Sequence, residues 1–351
     1  MKAKQYPAID AMRLLMAFCV VGSHAAPFEN ISPSLNFWVT DWLFRIAVPF
    51  FFIASGFFLF RKMQSKVQWP DVRRYWLRIF RVYFLWMVIY FPIIFYENIL
   101  PDPGGVFHGL LLVLRGFFLS ATVAAMHLWF LRALLVAVPI VAFCLWRRWS
   151  FRKLFAIFGG FYIVALLFSN YRPVYYALVT PESMLANFIA LYSNVVAVPP
   201  TGLCIGALFV SIGAYIAWRP IPISRKAAVM GLFFSFFAFL GEGYVVHHFS
   251  GVVSRDEYIF IPFLSFFLFS ILQQMEVRFH AIYIEWRKMS ALIFYVHILF
   301  VHLVEGMQAS HMIPASSLDK FLFVCCFSVL FSRGMIYLSH RPRYHFLEYL
   351  F

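Results

Sequence analysis

Apolar segments of helix length alternate with short polar loops along the whole chain. Ten of them are long enough to be membrane spans, since about 20 apolar residues of helix cross the hydrocarbon core of a bilayer. The predicted spans are 8–27, 36–60, 75–97, 127–146, 154–169, 199–218, 227–246, 258–276, 290–308 and 321–339. The segment 106–126 is apolar but carries His108 and Arg115, and we interpret it as an interfacial or re-entrant helix. The pattern predicts an all-α fold, one polytopic transmembrane bundle over residues 1–351.

Composition favours a membrane protein over a soluble one. The 351 residues are 63% hydrophobic and 13% charged, with a mean hydropathy of +0.80, whereas a soluble domain carries about 25% charged residues. The formal net charge of +14 would also suit a nucleic-acid partner, but the cations lie in short loops between spans. With both termini cytoplasmic, 19 of the 29 Lys and Arg residues fall on the cytoplasmic side and three on the other. This asymmetry predicts the orientation in the membrane, and we expect lipids, not nucleic acid, around the chain.

The first predicted span carries ionisable residues that a bilayer makes costly. His24 lies in the apolar stretch eleven residues after Arg13, and this length of helix rises about 16 Å. An intramembrane histidine indicates a functional site, and a neutral imidazole can accept a proton from a hydroxyl. Asp10 precedes Arg13 by three residues on the same helix face, so a local ion pair that anchors the helix end is the alternative role for this pair.

Arg78 and Arg81 lie one or two turns inside the third span, three residues apart and so on one helix face. Two buried like charges repel each other, and guanidinium groups suit phosphate. The arrangement therefore predicts an anion site. The alternative is that both side chains extend to the cytoplasmic headgroups, which is less suited to the deeper Arg81.

The second span has an internal charge pair and a stretch of small residues. Asp41 and Arg45 are four residues apart, and we expect an intrahelical ion pair because a lone charge in the bilayer is expensive. Pro49 can kink the span. Ser55 and Gly56 can allow another helix to approach closely.

Further polar residues occur in later spans. In the fourth span His127 and Trp129 open the segment HLWFLRALL, which also contains Arg132. Trp129 also has a simple explanation as a residue of the membrane-interface aromatic belt. The remaining candidates are Glu242 in the seventh span and Tyr295, His297 and His302 in the ninth. For each single histidine a structural role is an alternative to a catalytic one. No usual metal-ligand spacing occurs, so we expect no metal.

Taken in order, five segments resemble motifs of the membrane acyltransferase-3 family. IDAMRLLMAFCVVGSH is similar to the first span of that family, in which Asp-x-x-Arg is followed by His eleven residues after the Arg. The four other segments that resemble family motifs are VPFFFIASGFFLF, RIFR, HLWFL and SALIFYVH. The resemblance runs from residue 9 to about residue 300. Five such segments in the order of the family are a specific pattern.

The resemblance implies an activity. Family members move acyl groups, commonly acetyl, from cytoplasmic acyl-CoA to hydroxyls of extracytoplasmic glycans. By position, His24 inherits the catalytic role and Arg78 and Arg81 the handling of acyl-CoA. We expect a compact, single-domain O-acetyltransferase without a fused hydrolase-like domain. Arg132 and Leu134 stand where many larger members carry an acidic residue, which leaves the acceptor open.

These inferences give three sets of candidate residues. The catalytic candidates are His24, Asp10 and Arg13. The candidates for binding acetyl-CoA are Arg78, Arg81, Arg13, Arg45 and Ser55. The candidates for binding the acceptor are His127, Trp129, Arg132, Glu242, Tyr295 and His297. Of these, Ser55, Tyr295 or His127 could stabilise an oxyanion.

The expected partner is a surface glycan or a lipid-linked saccharide, and the expected location is the inner membrane of a bacterium. A homo-oligomer is left open. The competing hypothesis is a flippase or exporter of a lipid-linked saccharide, because basic-flanked spans with intramembrane charges suit transport as well. Inverted repeats with paired broken helices would favour the exporter, and the sequence shows none.

Overall fold

The structure is a computed structural model, and it describes residues 4–119, 125–180, 182–193, 201–219, 223–249 and 256–351. All of the regular secondary structure in these ranges is helical, with no β-strand, which confirms the all-α prediction. The α-helices are α1 (Pro7–Ala25), α2 (Ala47–Arg61), α3 (Trp69–Ile94), α4 (Gly105–Phe118), α5 (Trp129–Trp146), α6 (Phe151–Phe168), α7 (Arg172–Leu178), α8 (Met184–Ser193), α9 (Ala207–Trp218), α10 (Arg225–Phe249), α11 (Ile261–Gln274), α12 (Ile282–Ala309) and α13 (Ser317–Ser339). Shorter helical turns are Pro33–Asn36, Phe37–Trp42, Leu43–Ile46, Phe95–Ile99, Met126–Leu128, Gly202–Gly206 and Pro342–Leu350.

Eight helical segments in the described ranges are long and apolar enough to cross a membrane, and the chain is an integral, multi-pass membrane protein. They are Pro7–Ala25, Pro33–Arg61, Trp69–Ile99, Met126–Trp146, Phe151–Phe168, Arg225–His248, Ile282–Ala309 and Ser317–Ser339. The spans predicted at 199–218 and 258–276 correspond to the shorter helices Gly202–Trp218 and Ile261–Gln274. The segment 106–126 corresponds to α4, and its residues 120–124 lie outside the described ranges. The count of ten spans stays a prediction.

The long apolar segment Pro33–Arg61 is helical but irregular before α2 begins at Ala47. It contains a π-helical turn, Phe37–Trp42, followed by a 3₁₀ turn, Leu43–Ile46. Pro49 explains why the regular helix begins so late, because proline lacks an N–H and its ring displaces the carbonyl four residues earlier. The predicted ion pair is confirmed: Arg45 Nη2 lies 3.5 Å from Asp41 Oδ1.

The described chain forms two compact units. The first comprises residues 1–51, 221–247 and 259–351, and the second comprises residues 52–220 and 248–258. The division falls within α2. Each unit therefore combines segments that are far apart in sequence.

In the first unit α1 packs along α12, and the two helices run in parallel. Asp10, near the start of α1, is paired with Arg287 near the start of α12. His24, in the last turn of α1, lies beside His297 further along α12. Helix α13 begins where α1 ends, since Ser317 Oγ donates a hydrogen bond to the chain just after α1. It therefore runs antiparallel to both.

In the second unit α3 and α5 are antiparallel neighbours. Trp69, at the start of α3, packs against Trp146 at the end of α5, with ring centroids 6.3 Å apart. Midway along, Trp76 Nε1 donates to the carbonyl of Leu135 at 2.9 Å. This pairing brings the end of α3 to the start of α5.

Two glycines bring α2 and α9 into backbone contact in the second unit. A Cβ on Gly56 would overlap the carbonyl oxygen of Val210, and a Cβ on Gly213 would overlap that of Ile53. The close helix approach that was predicted at Gly56 is confirmed. Small residues have this effect in membrane helices because they let two backbones meet.

We expect Gly213→Ala to destabilise the protein by about 1–3 kcal/mol, the usual effect of overpacking, because the added methyl meets backbone and not a movable side chain. The matched control is Gly160→Ala in α6 of the same unit, where a Cβ meets nothing within 4 Å. Thermal unfolding of the detergent-solubilised variants measures the difference. Equal melting temperatures would show that the α2–α9 contact is not tight.

Candidate functional site

Two histidines meet where α1 ends. His24 is half-buried and His297 is fully buried, and their ring centroids are 5.1 Å apart with a 40° angle between the planes. His297 Nδ1 lies 2.8 Å from the carbonyl oxygen of Phe294 and 3.2 Å from that of Ile293. A carbonyl only accepts, so Nδ1 carries the proton and donates, and neutral His297 has its lone pair on Nε2.

The local chain explains why His24 stands at a helix end. Ala26 adopts the left-handed conformation with φ 47°, and its N–H bonds to the carbonyl of Gly22, which terminates the helix. A Cβ at Gly22 would lie 2.8 Å from Phe44 Cδ2, so the Phe44 ring of the segment before α2 packs directly on this glycine. The last turn of α1 is thereby held in place around His24.

A charged cluster lies at the other end of the same helix pair. Asp10 is 2% exposed, with Arg13 Nη1 3.5 Å from Oδ1 and Arg287 Nη1 4.0 Å from Oδ2. The predicted ion pair of Asp10 with Arg13 is therefore confirmed. Two guanidinium groups share one buried carboxylate, so the cluster has an excess positive charge. Both arginine side chains are partly exposed, at 16% and 40%, and can contact a ligand.

The α1–α12 pair thus carries an imidazole end and a cationic end. From Arg13 to His24 the α1 backbone rises about 16 Å, and from Arg287 to His297 the α12 backbone rises about 15 Å. Because α1 and α12 pack in parallel, these similar spacings place the arginines together at one end and the histidines together at the other. An elongated molecule that lies along this pair can contact cations at one end and an imidazole at the other.

The arginine pair predicted to bind phosphate lies in the second unit. Arg78 and Arg81 are both exposed on α3, so the expectation that the two like charges are buried together is wrong. At the start of α5, His127 is 1% exposed, and its ring centroid lies 5.0 Å from that of Tyr90. Arg132 is 7% exposed, and its Nη1 donates to the carbonyl of Gly116 at 2.9 Å. Arg132 therefore has a structural contact that joins α5 to α4.

The other candidates are dispersed. Trp129 packs against Phe52, with ring centroids 6.0 Å apart, in the second unit, where Ser55 is half-buried on α2. Arg45 belongs to the first unit, in its pair with Asp41, and Tyr295 is buried beside Phe294 in α12. Among the residues that the structure describes, no group of three His, Cys, Asp or Glu side chains could hold a metal ion.

Glu242 supports a helix start. It is 6% exposed, and its two carboxylate oxygens accept from the N–H groups of Ile259 at 2.6 Å and Phe260 at 3.1 Å. These N–H groups directly precede α11, where backbone donors lack helical partners and an anion is favoured. The acceptor-binding role of Glu242 stays a prediction beside this structural role.

A family model described as "Acyltransferase domain" matches residues 6–337, which is nearly the whole chain. The chain belongs to the acyltransferase-3 family. This match confirms the resemblance that the five motifs indicated.

The curated relatives of this acyltransferase domain are longer proteins. An amino-acid racemase of Enterococcus faecalis is 25% identical over 344 residues, which is 95% of this chain and 46% of that protein. A serine/alanine racemase of Enterococcus gallinarum is 26% identical over 305 residues, 85% of this chain and 41% of that protein. The chain therefore spans less than half the length of these relatives. No solved structure matches it significantly.

Arg287 is the member of the cationic end that sequence reasoning missed. Arg287 and Lys288 are two of the 19 Lys and Arg residues that the charge asymmetry assigns to the cytoplasmic side. One signal was available in the acyltransferase-3 motif around His297: Arg287 precedes that histidine by ten residues, close to the spacing from Arg13 to His24. Without knowledge that α1 and α12 pack in parallel, the coincidence had no meaning.

We expect Glu242→Ala to lower stability by about 1.5–3 kcal/mol, because two backbone donors lose a charged acceptor. The control is Glu276→Ala, because Glu276 is exposed and lies just after the end of α11. Thermal unfolding in detergent measures stability, and the Michaelis constant for the acceptor reports binding. An unchanged melting temperature with a raised acceptor KM would instead make Glu242 a substrate ligand.

Proposed function

We propose that this acyltransferase moves an acetyl or other short acyl group from cytoplasmic acyl-CoA to a hydroxyl of an extracytoplasmic glycan or lipid-linked saccharide, in the inner membrane of a bacterium. The observation that carries the proposal is the α1–α12 pair, with cations at one end and His24 at the other. Acyl-CoA has the matching form, since its phosphates are separated from its thioester by a long arm.

In the proposed step His24 acts as the general base. Its neutral imidazole takes the proton of the acceptor hydroxyl, and the oxygen attacks the carbonyl carbon of the thioester. The C–S bond then breaks, and the thiolate of CoA leaves and receives the proton from His24. The products are an O-acyl ester and free CoA. The alternative is a covalent route, in which a nitrogen of His24 attacks the thioester and CoA leaves as the thiol, and the acceptor oxygen then attacks the acyl-histidine and releases the imidazole.

His297 is a positioning residue in this proposal. Because its Nδ1–H is held by two carbonyl oxygens, its ring orientation is fixed, and its Nε2 can accept a hydrogen bond. A neighbouring ring 5.1 Å away can thus be held in one orientation. An oriented imidazole reacts faster than a mobile one because less ordering is needed in the transition state.

The donor phosphates lie, in our proposal, at Arg13 and Arg287. Guanidinium groups form charge-assisted hydrogen bonds with phosphate oxygens, and the shared carboxylate of Asp10 fixes both. Arg78, Arg81, Arg45 and Ser55 stay predicted contacts of acetyl-CoA.

Racemisation is the activity in the names of the relatives, and we do not propose it for this chain. More than half of each relative lies outside the matched region, which leaves room there for a separate racemase domain. The region that is shared with this chain matches an acyltransferase domain. Acyl transfer is therefore the activity that the shared region supports.

We expect His24→Ala to lower transfer of labelled acetyl from acetyl-CoA to surface glycan by about 10²–10⁴-fold, the usual contribution of a general base. His302→Ala, on α12 and also half-buried, is the control and should retain activity. Both variants must still bind acetyl-CoA. Full activity in a folded His24→Ala protein removes this histidine from the mechanism, and a wild-type protein that binds no acetyl-CoA favours the exporter.

We expect Arg287→Ala to raise the KM for acetyl-CoA about tenfold, the equivalent of one charge-assisted hydrogen bond. The same variant should leave the KM for S-acetyl-pantetheine unchanged, because that donor has no phosphate. Lys288→Ala removes the neighbouring cation, which lies over the Phe351 ring, and should change neither constant. An equal rise for both donors would contradict the phosphate contact.

A further inference from the structure

A cleft of about 360 Å³ lies in the second unit, where the segment Trp69–Ile99 ends and α4 packs against it. Its volume is in the range of about 300–1,000 Å³ that is typical of small-molecule sites. Polar and apolar groups share its lining. The lining residues that matter here are Glu97, Asn98, Asp102, Arg115, Leu112 and Val113.

The walls of the cleft are fixed by tight contacts. A Cβ on Gly109 of α4 would lie 2.8 Å from Ile99 Cα, so the helix touches the backbone of the preceding segment. At the other end of α4, Tyr83 Oη donates to the carbonyl of Phe117 at 2.7 Å and Arg132 donates to that of Gly116. The helix wall is therefore anchored at both ends.

Asp102 is held in one orientation at the edge of the cleft. Its Oδ1 accepts from the N–H of Gly104 at 2.8 Å and from His108 Nδ1 at 2.7 Å. The hydrogen bond from His108 lowers the pKa of Asp102 below its usual value, so the carboxylate stays ionised at neutral pH. Its Oδ2 accepts no hydrogen bond from the part of the chain that the structure describes.

The charges of the lining select the kind of ligand. Among the described lining residues, two carboxylates and one guanidinium leave an excess negative charge, which disfavours a phosphate-bearing molecule such as acyl-CoA. Carboxylates accept from hydroxyls, Arg115 donates, and Asn98 does both. Leu112 and Val113 offer an apolar surface to the C–H face of a sugar ring. A polyhydroxylated ligand that is neutral or positively charged matches this set.

The cleft also lies at the end of the Trp69–Ile99 segment that an extracytoplasmic acceptor could reach. Glu97 follows Arg73 by 24 residues, a rise of roughly 36 Å along a helix, which exceeds the hydrocarbon thickness of a bilayer. Arg73, near the start of α3, is one of the 19 cations that we place on the cytoplasmic side. On the proposed orientation, the cleft therefore opens on the extracytoplasmic side.

We propose that the cleft between the end of the Trp69–Ile99 segment and α4 binds the saccharide acceptor, a neutral or amino sugar, through Glu97, Asn98, Asp102 and Arg115. The inference rests on the proposed function for the orientation and for the need of an acceptor. Sugar binding itself can be measured without any acyl transfer.

The test uses paired tryptophan substitutions on α4 in the full chain in nanodiscs. Leu112→Trp fills the cleft, while Leu111→Trp places the same side chain at an adjacent exposed position that does not line it. Saturation-transfer NMR with glucose, N-acetylglucosamine, glucosamine and glucose 6-phosphate reports binding. We expect a signal from at least one unphosphorylated sugar in wild type and Leu111→Trp, at least a tenfold loss in Leu112→Trp, and a weaker signal from glucose 6-phosphate.

A second variant covers the case in which Leu112→Trp does not fold. Asn98→Leu keeps the side-chain size and removes the hydrogen-bonding groups, and it should weaken the same signal. Equal sugar binding by all variants, or no binding by wild type, overturns the proposal. Binding of acetyl-CoA, measured on the same samples, is expected to be unchanged in every variant, so a failure of the donor side is seen separately from a failure of the cleft.

Discussion

An ionisable side chain inside an apolar bundle must be paired or hydrogen-bonded, and this constraint governs the α1–α12 pair. Buried Asp10 is held between Arg13 and Arg287, and buried His297 donates to carbonyl oxygens of its own helix. Leaving a buried charge without its partner costs about 3–5 kcal/mol. The register of α12 on α1 is therefore set by charge at one end, and this register brings His297 beside His24 at the other.

Local patterns in the sequence predicted local features well. Hydropathy found the long apolar helices, and spacings of three and four residues predicted the ion pairs of Asp10 with Arg13 and of Asp41 with Arg45, because such neighbours share a helix face. Motif order identified the family. Each of these features depends on residues that are close in sequence or on a pattern carried by the chain itself.

Long-range contacts and backbone irregularities could not be predicted in the same way. Arg287 reaches Asp10 across 277 residues, and Glu242 bonds to backbone N–H groups, which have no sequence signature. The π-helical turn before α2 and the cleft beside α4 arise from how segments pack. The hydrophobic pattern of 106–126 marked that segment as unusual but gave no indication of a polar cavity beside it.

The parallel direction of α1 and α12 restricts how the chain can be threaded through a bilayer. Five long helices lie between them in the described ranges, and five crossings return the chain to the same direction. If each long helix crosses once, then an even number of the three shorter apolar helices, α4, α11 and Gly202–Trp218, must also cross. Eight or ten crossings satisfy this parity, and nine or eleven violate it. With an even number of crossings, the start of α1 and the end of α13 lie on the same side of the membrane.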